Sequence, residues 1–154
     1  TKEWTSQKTR IYKLLKSGED GVAKYVSSFD VAGLITDATF LPEKNLLVLL
    51  GYSNKINPFI YVFYDFEGDN FFGANKRKIN LKANFHQTEG IATKDGLTYF
   101  VTNEKLRHLN GLIDVKPQIH VLDLRAFLTD YISKFAEVIN LGEEYLPVEI
   151  EIEE

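Results

Sequence analysis

The 154-residue chain contains no cysteine, no methionine, one tryptophan and four prolines. Without cysteine there are neither disulfides nor thiolate metal sites, so stability must come from packing, and the missing thiols leave the compartment undecided. No apolar run approaches the roughly 18 to 20 residues a membrane-spanning helix needs. There is no Gly-x-Gly-x-x-Gly, no phosphate-loop lysine motif and no Gly-x-Ser-x-Gly elbow, which removes most of the ground for nucleotide binding and serine-hydrolase chemistry. The three histidines, His86, His108 and His120, stand 22 and 12 residues apart and do not form a zinc spacing. No Asn-x-Ser/Thr sequon occurs, which weakens a eukaryotic secreted origin.

A strong field of one sign is also missing. The net charge is −4, but Glu143, Glu144, Glu149, Glu151, Glu153 and Glu154 lie in the last twelve residues, so the body of the chain is slightly positive. With no Lys/Arg stripe interleaved with aromatics, nucleic acid is not an expected partner. The one basic cluster, Lys76-Arg77-Lys78, reads as an exposed strand edge, where positive charge discourages pairing with other chains. The chain opens at Thr1 and holds no Met, so its start is expected to result from processing or excision from something longer.

What is present is 44% apolar and 13% aromatic residues, enough for one compact core and far from disordered, collagen-like or coiled-coil compositions. Stretches rich in Val, Ile, Tyr, Phe, Leu and Thr, bounded by Gly, Asn, Asp, Pro or Lys-rich turns, predict strands over 9–14, 22–29, 34–40, 46–52, 59–66, 77–81, 88–93, 97–102, 118–124 and 135–141. Pro42-Glu43-Lys44-Asn45, Glu67-Gly68-Asp69-Asn70 and Lys94-Asp95-Gly96 supply hairpin turns. Leu124, Phe127, Leu128 and Tyr131 recur at helical spacing and predict a helix of one or two turns over 124–133.

The chain also repeats itself. Ile35-Thr36-Asp37-Ala38, a turn, residues 46–52, a loop and Pro58-Phe59-Ile60-Tyr61-Val62 are echoed by Gln87-Thr88-Glu89-Gly90, a turn, residues 97–102, a loop and Pro117-Gln118-Ile119-His120-Val121. The offset is 52 residues at Thr36/Thr88 and 59 at Pro58/Pro117, with the difference in the 104–116 loop. Outward, Arg10-Ile11-Tyr12 reads as the end of a preceding copy, and 77–81 matches 137–141. Residues 1–141 thus form about two and a half units of four antiparallel strands, the pattern of an all-β propeller. So few units leave sheet faces uncovered, so closure is expected from the remaining blades of a parent chain or from a homo-oligomer, the third resolution being a small open β-sandwich. Residues 142–154 are an acidic tail or, from the alternation of Val148, Ile150 and Ile152, an added strand.

Residues 88–104, Thr-Glu-Gly-Ile-Ala-Thr-Lys-Asp-Gly-Leu-Thr-Tyr-Phe-Val-Thr-Asn-Glu, resemble a blade of phytase-like, esterase-like β-propellers and, more loosely, the opening of the gluconolactonase and senescence-marker six-bladed propellers. That resemblance implies a metal-binding role for Glu89 on the innermost strand, facing a central channel, where a hard cation such as calcium would polarise an ester or lactone carbonyl. Asp37 is its counterpart in the first unit, and His86, Asn103 and Glu104 are candidates for the surrounding binding site. Propellers host many functions, and no catalytic constellation is complete in this chain. The expected function is therefore a non-catalytic binding or scaffold module of a secreted, periplasmic or cell-envelope protein, recognising a protein or glycan through the loops at one end of its blades. The alternative is a divalent-metal-dependent hydrolase, a phosphoesterase or lactonase, with its site at the channel.

Overall fold

The structure, a computed structural model, describes residues 6–14 and 21–139, with side chains to residue 135. Over these residues it is mostly β, built from antiparallel sheets with one α-helix. The strands are β1 (Lys8–Lys13), β2 (Lys24–Asp30), β3 (Leu34–Leu41), β4 (Leu46–Tyr52), β5 (Pro58–Tyr64), β6 (Asn75–Asn80), β7 (Thr88–Thr93), β8 (Thr98–Asn103), β9 (Leu106–His108), β10 (Ile113–Val115) and β11 (Gln118–Asp123), followed by α1 (Arg125–Ile139).

The central layer is the sheet β3-β4-β5-β6, in which each strand pairs with its neighbour in sequence. Its strand β4, Leu-Leu-Val-Leu-Leu-Gly-Tyr, is buried at every position. A strand covered on both faces reads as an unbroken apolar run, because alternate side chains enter two different cores. Leu46, Val48 and Leu50 enter a core shared with Ile91, Tyr99 and Val101 of the sheet β11-β8-β7 and with Leu124, Leu128 and Tyr131. Leu47 and Leu49 enter a second core with Phe63, Phe66 and Phe72, against which Ile11 and Phe29 of the β1–β2 hairpin pack. Phe29 meets Phe63 edge-on at 5.4 Å and stacks with Phe72 at the same distance. The hairpin, the central sheet and the β11-β8-β7 sheet are thus three consecutive layers.

The basic cluster lies on β6, the edge strand of the central sheet, and is exposed. Lys78 folds back, its ammonium 4.0 Å from the Phe59 ring centroid and donating to the Val31 carbonyl. Burial against this ring lowers its pKa. The predicted turns are in place. Asn45 closes the Pro42–Lys44 turn in the left-handed region, and Gly68 and Gly96 also take positive φ. Asp95 accepts the backbone N–H groups of Thr98 and Leu97, both at 2.8 Å, which holds its carboxyl below the usual carboxylate range.

Two elements depart from expectation. The strand predicted over 135–141 is helix as far as Ile139, its last two residues lying outside the described residues. The reason is continuity: Leu124, Leu128, Tyr131, Ile132 and Phe135 all keep helical spacing, and no Gly or Pro interrupts 125–139. Asp123 starts the helix by accepting the Arg125 N–H at 2.9 Å. Tyr131 docks it, its hydroxyl donating to the Lys44 carbonyl at 2.6 Å and accepting the Asp65 N–H at 3.1 Å. Second, the 104–116 loop carries a small hairpin of its own, β9–β10. The acidic tail 142–154 lies outside the described residues. Among those described, no helix is long and apolar enough to cross a membrane.

Candidate functional site

The ends of β4 and β8, the starts of β3, β5, β7 and β11, and the connections between them form one end of the layers, and four of the five candidate residues gather there. Glu89 is half-buried near the start of β7, and Glu104 is exposed just past β8, where its N–H donates to the Gln87 carbonyl at 3.0 Å. Both carboxylates act on the Tyr52 phenol. Burial raises its pKa, the Gln87 side chain hydrogen-bonded to it pulls the other way, and the Glu89 and Glu104 carboxylates push it up again. No spacing in the sequence brings Tyr52 and Gln87 together with these carboxylates, since Tyr52 reads only as one of several strand aromatics and Gln87 only as the start of a repeat.

Asn103, the last residue of β8, is buried and fully used. Its amide nitrogen donates to the carbonyls of Glu104 at 2.8 Å and Lys116 at 2.9 Å. Its oxygen faces the His120 Nε2 at 2.8 Å. Because that oxygen can only accept, His120 carries its proton on Nε2. One side chain therefore ties both ends of the excursion that bears β9–β10. The His120 ring lies 5.2 Å from that of His86, edge to face. Burial, and secondarily the neighbouring His86, lower the His120 pKa. His86 in turn directs Nδ1 to the Asn84 carbonyl at 3.0 Å.

Asp37 reaches the strand of Glu89 but serves the backbone. Its Oδ2 accepts the Ile91 N–H at 2.8 Å, joining β3 of the central sheet to β7 of the next. Nor is it the counterpart of Glu89. In β3 the pairing with β4 steps from Ile35 to Asp37, leaving Thr36 as the bulged residue. In β7 the pairing with β8 steps from Thr88 to Gly90, leaving Glu89 bulged. Ile35 sits opposite Gly51 as Thr88 sits opposite Asn103, so Glu89 corresponds to Thr36, and Asp37 to Gly90. The matched pair of acids expected from the 52-residue offset is thus displaced by one residue, because the β3–β4 turn is one residue longer than the β7–β8 turn, and Asp37 serves as a clamp between sheets. Among the described residues no three His, Asp or Glu side chains are grouped so as to hold a metal ion.

Replacing Asp37 with Ala should therefore cost about 2 kcal/mol, the value of a hydrogen bond to a charged acceptor whose donor is left buried. Asp37→Asn, which keeps an acceptor oxygen, should recover at least half of that in urea denaturation. Equal losses for both variants would show that Ile91 gains nothing from the acceptor.

Backbone strain marks the same end of the layers. Ile56, in the β4–β5 loop, and Phe85, before β7, both take positive φ, and the Phe85 N–H donates to the Ile56 carbonyl at 2.9 Å. For a β-branched residue such as Ile56 this conformation is costly and persists only where surrounding contacts impose it. Leu109 and Asn110 repeat it at the tip of β9–β10, where Leu109 and Leu112 are exposed. No family model, curated protein or solved structure matches the chain.

Proposed function

We propose that the chain is a non-catalytic binding or scaffold module of propeller type, belonging to a secreted, periplasmic or envelope protein, which grips a partner at the strand ends where β9–β10 projects. The observation that carries this reading is the hairpin itself, an apolar tip held out in water on a base fastened by Asn103. Exposed aliphatic side chains on a fixed support are a feature of recognition surfaces. Leu109 and Leu112 favour a protein partner over a glycan, which would draw more on aromatic platforms. The propeller reading is supported by the layers following one another in chain order, by the shared bulged registers of β3–β4 and β7–β8, and by the direct bond from β3 to β7.

The test pairs recognition with metal response. Peptide-display libraries and printed glycan arrays are probed with the wild-type chain and with a Leu109→Ser, Leu112→Ser variant. The wild type should select ligands that the variant binds at least about tenfold more weakly, as expected for loss of an apolar anchor. Millimolar calcium should leave the melting temperature where it was. A calcium-dependent rise that Glu89→Gln abolishes would replace this reading with the metal-dependent hydrolase, since a ligand bound only by the folded state must stabilise it.

A further inference from the structure

We propose that the outer face of the β11-β8-β7 sheet is an interface, occupied by the β1–β2 hairpin of a second copy of this chain. This rests on strand register and stands apart from the recognition role of the β9–β10 tip. In the central sheet, Val48 pairs with Val62 and Leu50 with Ile60. In the next sheet the corresponding pairs are Phe100 with Val121 and Thr102 with Ile119. Val48, Ile60 and Val62 are 0%, 0% and 1% exposed, because the following sheet covers them, whereas Phe100, Ile119 and Val121 are 47%, 71% and 68% exposed.

The last sheet thus repeats an apolar face that is covered one layer earlier. The chain does not cover it with α1, whose Leu124, Leu128 and Tyr131 turn back into the core between the two sheets. Contiguous exposed apolar surface of this kind marks an association site.

The matching surface lies at the other end of the layers. The β1–β2 hairpin packs the partly buried Ile11 and Phe29 toward the central sheet. Away from it stand Tyr12 and Tyr25, paired across the strands, with ring centroids 6.0 Å apart and both side chains exposed. The two bare faces lie on opposite sides of the central sheet, so one copy cannot bring them together and two copies can. The joint continues the sheet-on-sheet packing already made twice within the chain. It is heterologous, so repetition leads to a ring or an open filament.

Sedimentation velocity tests the proposal. The wild-type chain should sediment as a dimer or larger species whose proportion grows with concentration. Val121→Lys, and independently Ile119→Lys, should be monomeric with unchanged near-UV dichroism, since each places an unpaired charge in the joint and none in the monomer core. Tyr25→Lys should also be monomeric. Mixing Val121→Lys with Tyr25→Lys should restore a one-to-one dimer, because each chain keeps one intact face. A wild-type chain that stays monomeric overturns the proposal, as does a Tyr25→Lys variant that assembles like wild type or a mixture that stays monomeric. None of these outcomes touches ligand capture by the β9–β10 tip, which is read separately.

Discussion

Gly51→Ala should destabilise the protein by about 3 kcal/mol or more, enough to leave much of a marginally stable chain unfolded. Gly51 is the penultimate residue of the buried strand β4, paired with Ile35 on one side and Phe59 on the other. A Cβ built there would fall 2.1 Å from the Leu34 carbonyl oxygen and 3.0 Å from its carbon. These are backbone atoms, so no side-chain rotation relieves the overlap and β3 must move. That strand is held in its sheet by β4 and tied to the next sheet through Asp37, so the movement spreads into both. The control is Gly68→Ala. Gly68 also disfavours a side chain, through a φ of +54°, but its surroundings are open and the cost should be about 1 kcal/mol. Urea denaturation of the two variants separates lack of space from lack of conformational freedom. Similar losses would mean that β3 gives way freely.

Removing the Tyr131 side chain should cost about 3 to 5 kcal/mol, the range for truncating a buried aromatic. Its ring packs against Tyr64 at 5.0 Å and Phe135 at 5.3 Å, and its hydroxyl bridges the Lys44 carbonyl and the Asp65 N–H. Tyr131→Phe keeps the ring and should lose only about 1 to 2 kcal/mol, the cost of backbone groups left without that partner. The carbonyl and amide that the hydroxyl joins flank β4 and β5, so the helix is fastened to the strand ends by one group. Far-UV dichroism at 222 nm should fall with Tyr131→Ala before the β signal does. Loss of both signals together would show that α1 and the sheets form a single cooperative unit.

Much of the strand order could be read from the amino acids because period-two patterns and turn residues are local properties. β4 and β7 fall at their predicted bounds, and the turns at Asn45, Gly68 and Asp95 were visible from residue type alone. The three-residue strands β9 and β10 were not, since so short a segment has no period to detect. The end of α1 was misread because Phe135 is a strand former in isolation and joins the helix only through its spacing from Tyr131 and Leu128.

The site was legible to a different degree. Glu89, His86, Asn103 and Glu104 do collect at one end of the layers, as residues at neighbouring strand ends must. The pairing of Asp37 with Glu89 failed for a specific reason. Matching Thr36 to Thr88 by identity gives the wrong register, and only the hydrogen-bond ladder shows that six residues separate the paired Phe40 and Leu47 but five separate Thr93 and Tyr99, so the turn moves β7 by one residue against β3. Likewise, no local pattern announces that Asp37 bonds Ile91, 54 positions later.

The grip of Asn103 on both Glu104 and Lys116 separates the geometry of the β9–β10 excursion from that of the sheet beneath it. Whatever lies between those two carbonyls is closed at its base by one side chain, so further lengthening of the loop adds only slowly to the cost of closure. The tip is in that sense an exchangeable cartridge: its length and residues can change while β8 and β11 keep their register, without renegotiating the core.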